Sequence, residues 1–221
     1  MPRTNLSLPR PSIVVDDPLD GLIRIFELPL SVEYDTRGPG NPDLISRDDV
    51  ALINRTMGAR SSYTNWSRLF KRGSLAALQA IDPGVDLFLA SDAEWAQSHV
   101  AQNLSSLFGS VIGKGIGVAV ATKLLHLKRP RLIPVCDSYV LRLMGIPGQD
   151  ASSGVALVEC LRSLRSQWTP PLEHLQRLLK SKGYDLTLVR IADALMWSAL
   201  DTARVRLSPS VQRAAQRARR R

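Results

Sequence analysis

The sequence predicts an all-α domain, and three observations carry that reading. Serines stand three residues ahead of a carboxylate at Ser46/Asp49 and Ser91/Glu94, the spacing at which side chain and backbone cap a helix start reciprocally. Apolar residues recur at helical spacing through most segments lying between Gly, Pro and Asp punctuation. Strand-like runs are short: 13–15, and 132–135 bracketed by Pro130 and Pro134.

Taken in order, Asp17-Pro18 starts a helix through Leu22, Ile23 and Phe26, since proline suits the first helical position. Residues 32–43, with Pro39, Gly40 and Pro42, read as a loop. Ser46 opens a helix through Val50, Leu52 and Ile53, and Ser91 opens one running to about Phe108. Further amphipathic stretches cover 118–127, 137–144, 154–167, 171–182 and 186–203. In the last, Leu188, Ile191, Ala192, Leu195 and Met196 share one face, and Trp197 reads as core. The chain divides into an extension (1–45), the helical domain (46–203) and an arginine-rich tail (204–221), with no internal repeat.

At 221 residues the chain buries a core without staples. Its 44% hydrophobic and 22% charged content argues against a disordered, fibrous or membrane class. The most apolar stretch, 110–127, is interrupted by Lys114 and three glycines, so no membrane partner is expected. The first residues lack the apolar run of a secretory signal, which makes a cytoplasmic, or in a bacterium nucleoid-associated, location the expectation. Cys136 and Cys160 read as reduced core thiols, and His99, His126 and His174 have no ligand-like spacing, so neither metal nor cofactor is expected.

The net charge of +9 is concentrated. Residues 202–221 carry seven arginines and no acid, and residues 95–136 hold no acid against Lys114, Lys123, Lys128, Arg129 and Arg131. Such blocks are either solvated surface or the footprint of a polyanion.

The segment 113–145 is the most informative. Gly115-Ile116-Gly117 lies between two helices, where residues without Cβ let the backbone approach a partner, and the N–H groups of Gly117, Val118 and Ala119 open a helix whose N-terminus attracts phosphate. Lys114 and Lys123 add charge nearby.

With these residues the chain resembles the helix-hairpin-helix DNA glycosylase superfamily with an endonuclease-III-like core. That hairpin reads Leu-Pro-Gly-Val-Gly-x-x-x-Ala, followed at a distance by Val-Asp-Thr/Ser-x-Val-x-Arg. Gly115, Ile116, Gly117 and Ala121 match the first block, Asp137, Ser138, Val140 and Arg142 the second, and the 20 positions from Gly117 to Asp137 match the interval. The wording of 122–130 and 133–137 is more similar to an uncharacterised actinobacterial family within or near that superfamily.

The resemblance implies a helix-hairpin-helix fold and hydrolysis of an N-glycosidic bond in DNA. Asp137 would stabilise the cationic sugar and assist water, and the base would be extruded. Lys114, Gly115, Ile116, Gly117, Val118, Ala119, Lys123, Lys128, Arg129 and Arg131 are the expected contacts to a duplex, chiefly to its backbone. Tyr63 and Trp66, in a stretch with Arg60 and Arg68, either line a base pocket or belong to the core. Relatives that also cut the strand carry lysine two residues after the second hairpin glycine; here that position is Ala119, so the activity implied is monofunctional. The usual Leu-Pro is Gly113-Lys114, and the four-cysteine cluster of some relatives is absent. Two readings compete with catalysis. Asp137 is equally suited to cap a helix, and the scaffold equally suited to a non-catalytic DNA- or protein-binding role.

Overall fold

A computed structural model describes residues 18–70 and 75–206, with the backbone alone for 200–206. The strand expected at 13–15 and the tail arginines from Arg213 onward lie outside the described residues. Within them every regular element is a helix, and no strand forms.

The amino-terminal half opens with α1 (Pro18–Phe26) and α2 (Pro29–Thr36). Helix α2 corrects the expected loop: Val32 to Thr36 are helical because Pro29 starts a turn there and Tyr34 is buried. The Tyr34 hydroxyl donates to the Lys123 carbonyl at 2.5 Å, and its ring stacks on His126. Next come α3 (Arg47–Thr56), α4 (Tyr63–Phe70) and α5 (Ala76–Gln79). The expected capping box holds in α3, where the Asp49 amide donates to Ser46 Oγ at 3.1 Å and the Ser46 amide to Asp49 Oδ2 at 2.7 Å.

The helix expected from Ser91 to Phe108 is two helices, α6 (Asp92–Gln97) and α7 (Val100–Val111). His99 breaks it with a left-handed backbone, φ 48°, a conformation histidine tolerates better than bulkier residues. Separate helices let α7 bury Val100, Leu104, Leu107, Phe108 and Val111 while α6 stays on the surface.

The carboxyl-terminal half comprises α8 (Val118–Lys128), α9 (Ser138–Leu143), α10 (Ala151–Ser163), α11 (Arg165–Ser181) and α12 (Leu188–Arg206). The boundary between α10 and α11 falls at Leu164 rather than near Gln167, and Pro170 and Pro171 lie inside α11 rather than at its start. Helix α10 packs closely on α7: a Cβ on Gly154 would stand 2.6 Å from the Phe108 ring, so only glycine admits this approach. All five residues of the expected apolar face of α12 are buried, and Trp197 is partly buried against them. Residues 132–135 are extended without a partner strand, and the Val135 amide instead donates to Asp193 on α12 at 2.9 Å.

The carboxyl-terminal end of α8 overturns part of the expected basic surface. Lys128 is 2% exposed; its Nζ pairs with Asp49 at 2.8 Å and donates to the Pro39 and Asn41 carbonyls. Arg129 is 1% exposed and donates to the carbonyls of Ile81, Pro42 and Leu78 and to Asp43. Both are internal cross-links that tie the end of α8 to the carbonyls of 39–43 and of the end of α5.

A second buried cluster surrounds Arg190. Its Nε and Nη2 grip the two oxygens of Asp35 at 2.7 and 3.1 Å, its Nη1 pairs with Asp193, and the guanidinium lies over Phe26 and Tyr34. Burial pushes the Asp193 carboxyl up to about 7, while Arg190 and the Val135 amide pull the other way. The two carboxylates keep Arg190 charged despite its burial.

Two stability predictions follow from this interior. Lys128→Met leaves Asp49 buried without its cation and is expected to cost about 3–5 kcal/mol in urea unfolding, with much of that recovered when Asp49→Leu is added. His126 faces the Ile133 carbonyl through Nδ1 at 2.6 Å, and burial with the Arg190 charge lowers its pKa from 6.5 to about 3. The unfolded chain therefore takes up the proton first, so the stability this neutral ring allows is present above pH 6.5 and is lost toward pH 3, by about 1.4 kcal/mol per pH unit. His126→Asn keeps a donor near the Nδ1 position without a titrating group, so the difference in unfolding free energy between it and the wild type is expected to narrow as pH falls. A difference independent of pH would show that His126 titrates normally.

Candidate functional site

Between α7 and α8 the chain turns in six residues. The Gly113 amide donates to the Ile116 carbonyl at 3.0 Å and the Ile116 amide to the Gly113 carbonyl at 2.8 Å, which leaves Lys114 and Gly115 at an exposed tip. Gly115 has φ +75°, and a Cβ there would stand 2.0 Å from the Asn65 side chain, so conformation and space both demand glycine. Asn65 Nδ2 donates to the Gly115 carbonyl at 3.4 Å. Arg68 Nη2 donates to the carbonyls of Val111 and Ile112 at 2.7 and 3.0 Å, closing the carboxyl-terminal end of α7 with a cation that suits the helix dipole. Helix α4 thus holds the turn from outside.

Of the expected hairpin residues, Ile116 and Val118 have buried side chains that anchor the turn in the core. The Val118 amide, expected to be open, donates to the Gln149 carbonyl at 3.1 Å. The amides of Gly115, Gly117 and Ala119 make no hydrogen bond among the described residues. Lys114, next to Gly115 in the chain, is exposed.

The other expected cations are scattered. Arg131 is exposed but lies beyond the far end of α8, about 16 Å along the helix from the turn. Lys128 and Arg129 are internal, as described, and are no part of a surface patch. Lys123 is half-buried; its Nζ donates to the Met57 carbonyl at 2.8 Å, and burial lowers its pKa against the opposing charge of Asp137. Acid-free sequence is therefore not the same as basic surface, because the acids that neutralise it come from Asp43 and Asp49, far away in the chain.

Asp137 is the N-cap of α9. Its Oδ1 accepts the amides of Tyr139 and Val140 at 2.8 and 2.9 Å, while Oδ2 takes no hydrogen bond among the described residues. The preceding residues are fixed by the core: the Cys136 amide donates to Thr122 Oγ1 at 3.2 Å, and the thiol is pushed up by burial, as expected of an inert cysteine. The fold brings Asp137 and Lys123 within electrostatic reach of each other, although 14 positions separate them.

The two expected base-pocket aromatics part company. Trp66 is fully buried and donates from Nε1 to Ser61 Oγ at 2.9 Å, a core residue that no ligand reaches. Tyr63, one turn before it, is 47% exposed. Asn65, Gln149 and the Met57 carbonyl are site residues that the sequence reading missed, since each acts across 31 or more positions and has no motif of its own.

These features define the class of protein, an all-α domain in which a tight glycine turn and an aspartate-capped helix flank one buried helix. The chain belongs to DUF6308, a family of unknown function whose model matches residues 33–200, from α2 to the described end of the core and so including the whole site. Comparison with curated proteins and with solved structures gives no match. Among the described residues no helix is long and apolar enough to cross a membrane.

The two turn glycines are expected to behave differently. Gly115→Ala meets both the positive φ and Asn65, and is expected to destabilise by more than about 1 kcal/mol, part of it regained with Asn65→Ala. A Cβ on Gly117 meets Gln149 only at 3.7 Å, so Gly117→Ala is expected to unfold within about 0.5 kcal/mol of the wild type. Equal losses at both positions in urea titration would contradict this geometry.

Proposed function

We propose that this protein binds duplex DNA through the turn at 113–117 and hydrolyses the N-glycosidic bond of an extruded base, with Asp137 as the essential carboxylate. The observation that carries the reading is the joint arrangement of three unengaged amides beside exposed Lys114 and, 20 positions beyond Gly117, a carboxylate whose Oδ2 is unbonded among the described residues. Amides and lysine suit a phosphate. The unbonded oxygen is free to face a sugar carbon acquiring positive charge, and the capping bonds to Oδ1 fix the carboxylate's direction before any substrate arrives. Ala119 supplies no amine, so the product expected is an intact strand carrying an abasic site.

The runner-up is a DNA-binding protein without chemistry. What favours it is the cap itself, since accepting two amides of α9 is reason enough for an aspartate at 137.

Oligonucleotide duplexes carrying assorted damaged bases, treated with alkali after incubation, separate the readings. Base release that falls on the order of 10²–10³-fold in Asp137→Asn, which keeps an Oδ1 for the cap, while duplex affinity stays within about twofold, is the outcome expected. Release that survives the substitution would place the catalytic group elsewhere. Affinity without release from any substrate would leave the runner-up, and no salt-dependent affinity at all would remove both readings.

A further inference from the structure

Two tyrosine rings stand exposed among the described residues, Tyr63 and Tyr139. Tyr139 is 38% exposed and lies two residues past Asp137, with its amide bonded to that carboxylate at 2.8 Å. Its ring is not left loose. The Arg142 guanidinium carbon sits 4.6 Å from the ring centroid, and Arg142 Nε donates to the Ser138 carbonyl at 3.1 Å, which fixes the cation over the ring. Val140 and Leu141, both buried, pin this short helix to the core. The result is an exposed, pre-ordered aromatic–guanidinium pair on the short helix that Asp137 caps.

Solvation alone does not account for such a pair. A tyrosine whose ring packed inward would bury more apolar area, and a lone surface arginine has no need of a ring. An aromatic face backed by a guanidinium matches the requirements of an unstacked nucleobase, which offers a π-face and brings a phosphate with it. We propose that Tyr139, ordered by Arg142, is the platform on which an unpaired or extruded base stacks next to Asp137. This rests on the DNA reading above and adds a recognition preference, for DNA in which a base is already out of the helix. The other exposed tyrosine, Tyr63, has no cation stacked on it among the described residues and is not on the helix that Asp137 caps, so Tyr139 is the residue chosen.

The test uses the full chain and two fluorescein-labelled duplexes, one fully paired and one with a single bulged 2-aminopurine. Wild-type protein is expected to prefer the bulged duplex on the order of tenfold and to quench the 2-aminopurine emission. Tyr139→Ala, and Tyr139→Leu, which keeps bulk without a planar face, are expected to lose preference and quenching while holding the paired-duplex affinity within twofold. Tyr139→Phe is expected to keep both. Absence of preference in the wild type, or preference that survives Tyr139→Leu, overturns the proposal. Failure of the catalytic reading appears separately: quenching and preference without base release leave the platform standing, whereas base release with neither effect leaves the chemistry and removes the platform.

Discussion

Helix α8 is buried along almost its whole circumference, so nearly every polar group it carries has to find a partner inside the protein. Eight of its eleven residues are buried, including Thr122, His126 and Lys128. Thr122 takes the Cys136 amide, His126 the Ile133 carbonyl, and Lys128 a carboxylate with two carbonyls. The neighbouring chain is therefore positioned by hydrogen bonds to α8 as much as by apolar contact. The residues of α8 that are not buried, Ala119, Val120 and Lys123, all lie in its amino-terminal half, next to the glycine turn.

The Arg190 cluster does the same work from α12. A buried guanidinium is tolerable only when its donors are matched, and here they reach α2 through Asp35 and, through Asp193, the extended segment before Asp137. The aspartate at the site is thus located by a chain of contacts running from α12 to Val135 and then into α9. With Lys128 and Arg129, this cluster commits three cations to structure, while Lys114 and Arg68 remain exposed at the turn and Arg142 beyond Asp137.

Rigidity and openness meet at the amino-terminal ends of α8 and α9. The turn is braced by Asn65 and Arg68 from α4 and by Gln149 from the other side, yet keeps three amides unengaged. Asp137 commits one oxygen to its helix and leaves the other. Sites that act on a ligand need both properties, since groups held by the fold in advance are not reorganised when the ligand arrives.

The helices were largely legible in the sequence, because caps and apolar periodicity are local: Ser46 with Asp49, Ser91 with Glu94, and the stripe of α12 fix their elements without reference to the rest. Asp137 as a helix start and Gly115 at a turn were legible for the same reason. Other boundaries were not. Helix α2 exists because Tyr34 has a place against α8, and His99 divides α6 from α7 because α7 fully buries five residues while α6 meets the core only through partly buried Trp95. The destinations of the charges were decided by tertiary structure alone. Lys128 and Arg129 look in sequence like any surface cations, and nothing local marks them as internal. Their partners, Asp49, Asp43 and the carbonyls of residues 39, 41, 42, 78 and 81, come near only when α8 is enclosed, and whether a charge meets solvent or a carboxylate depends on that enclosure.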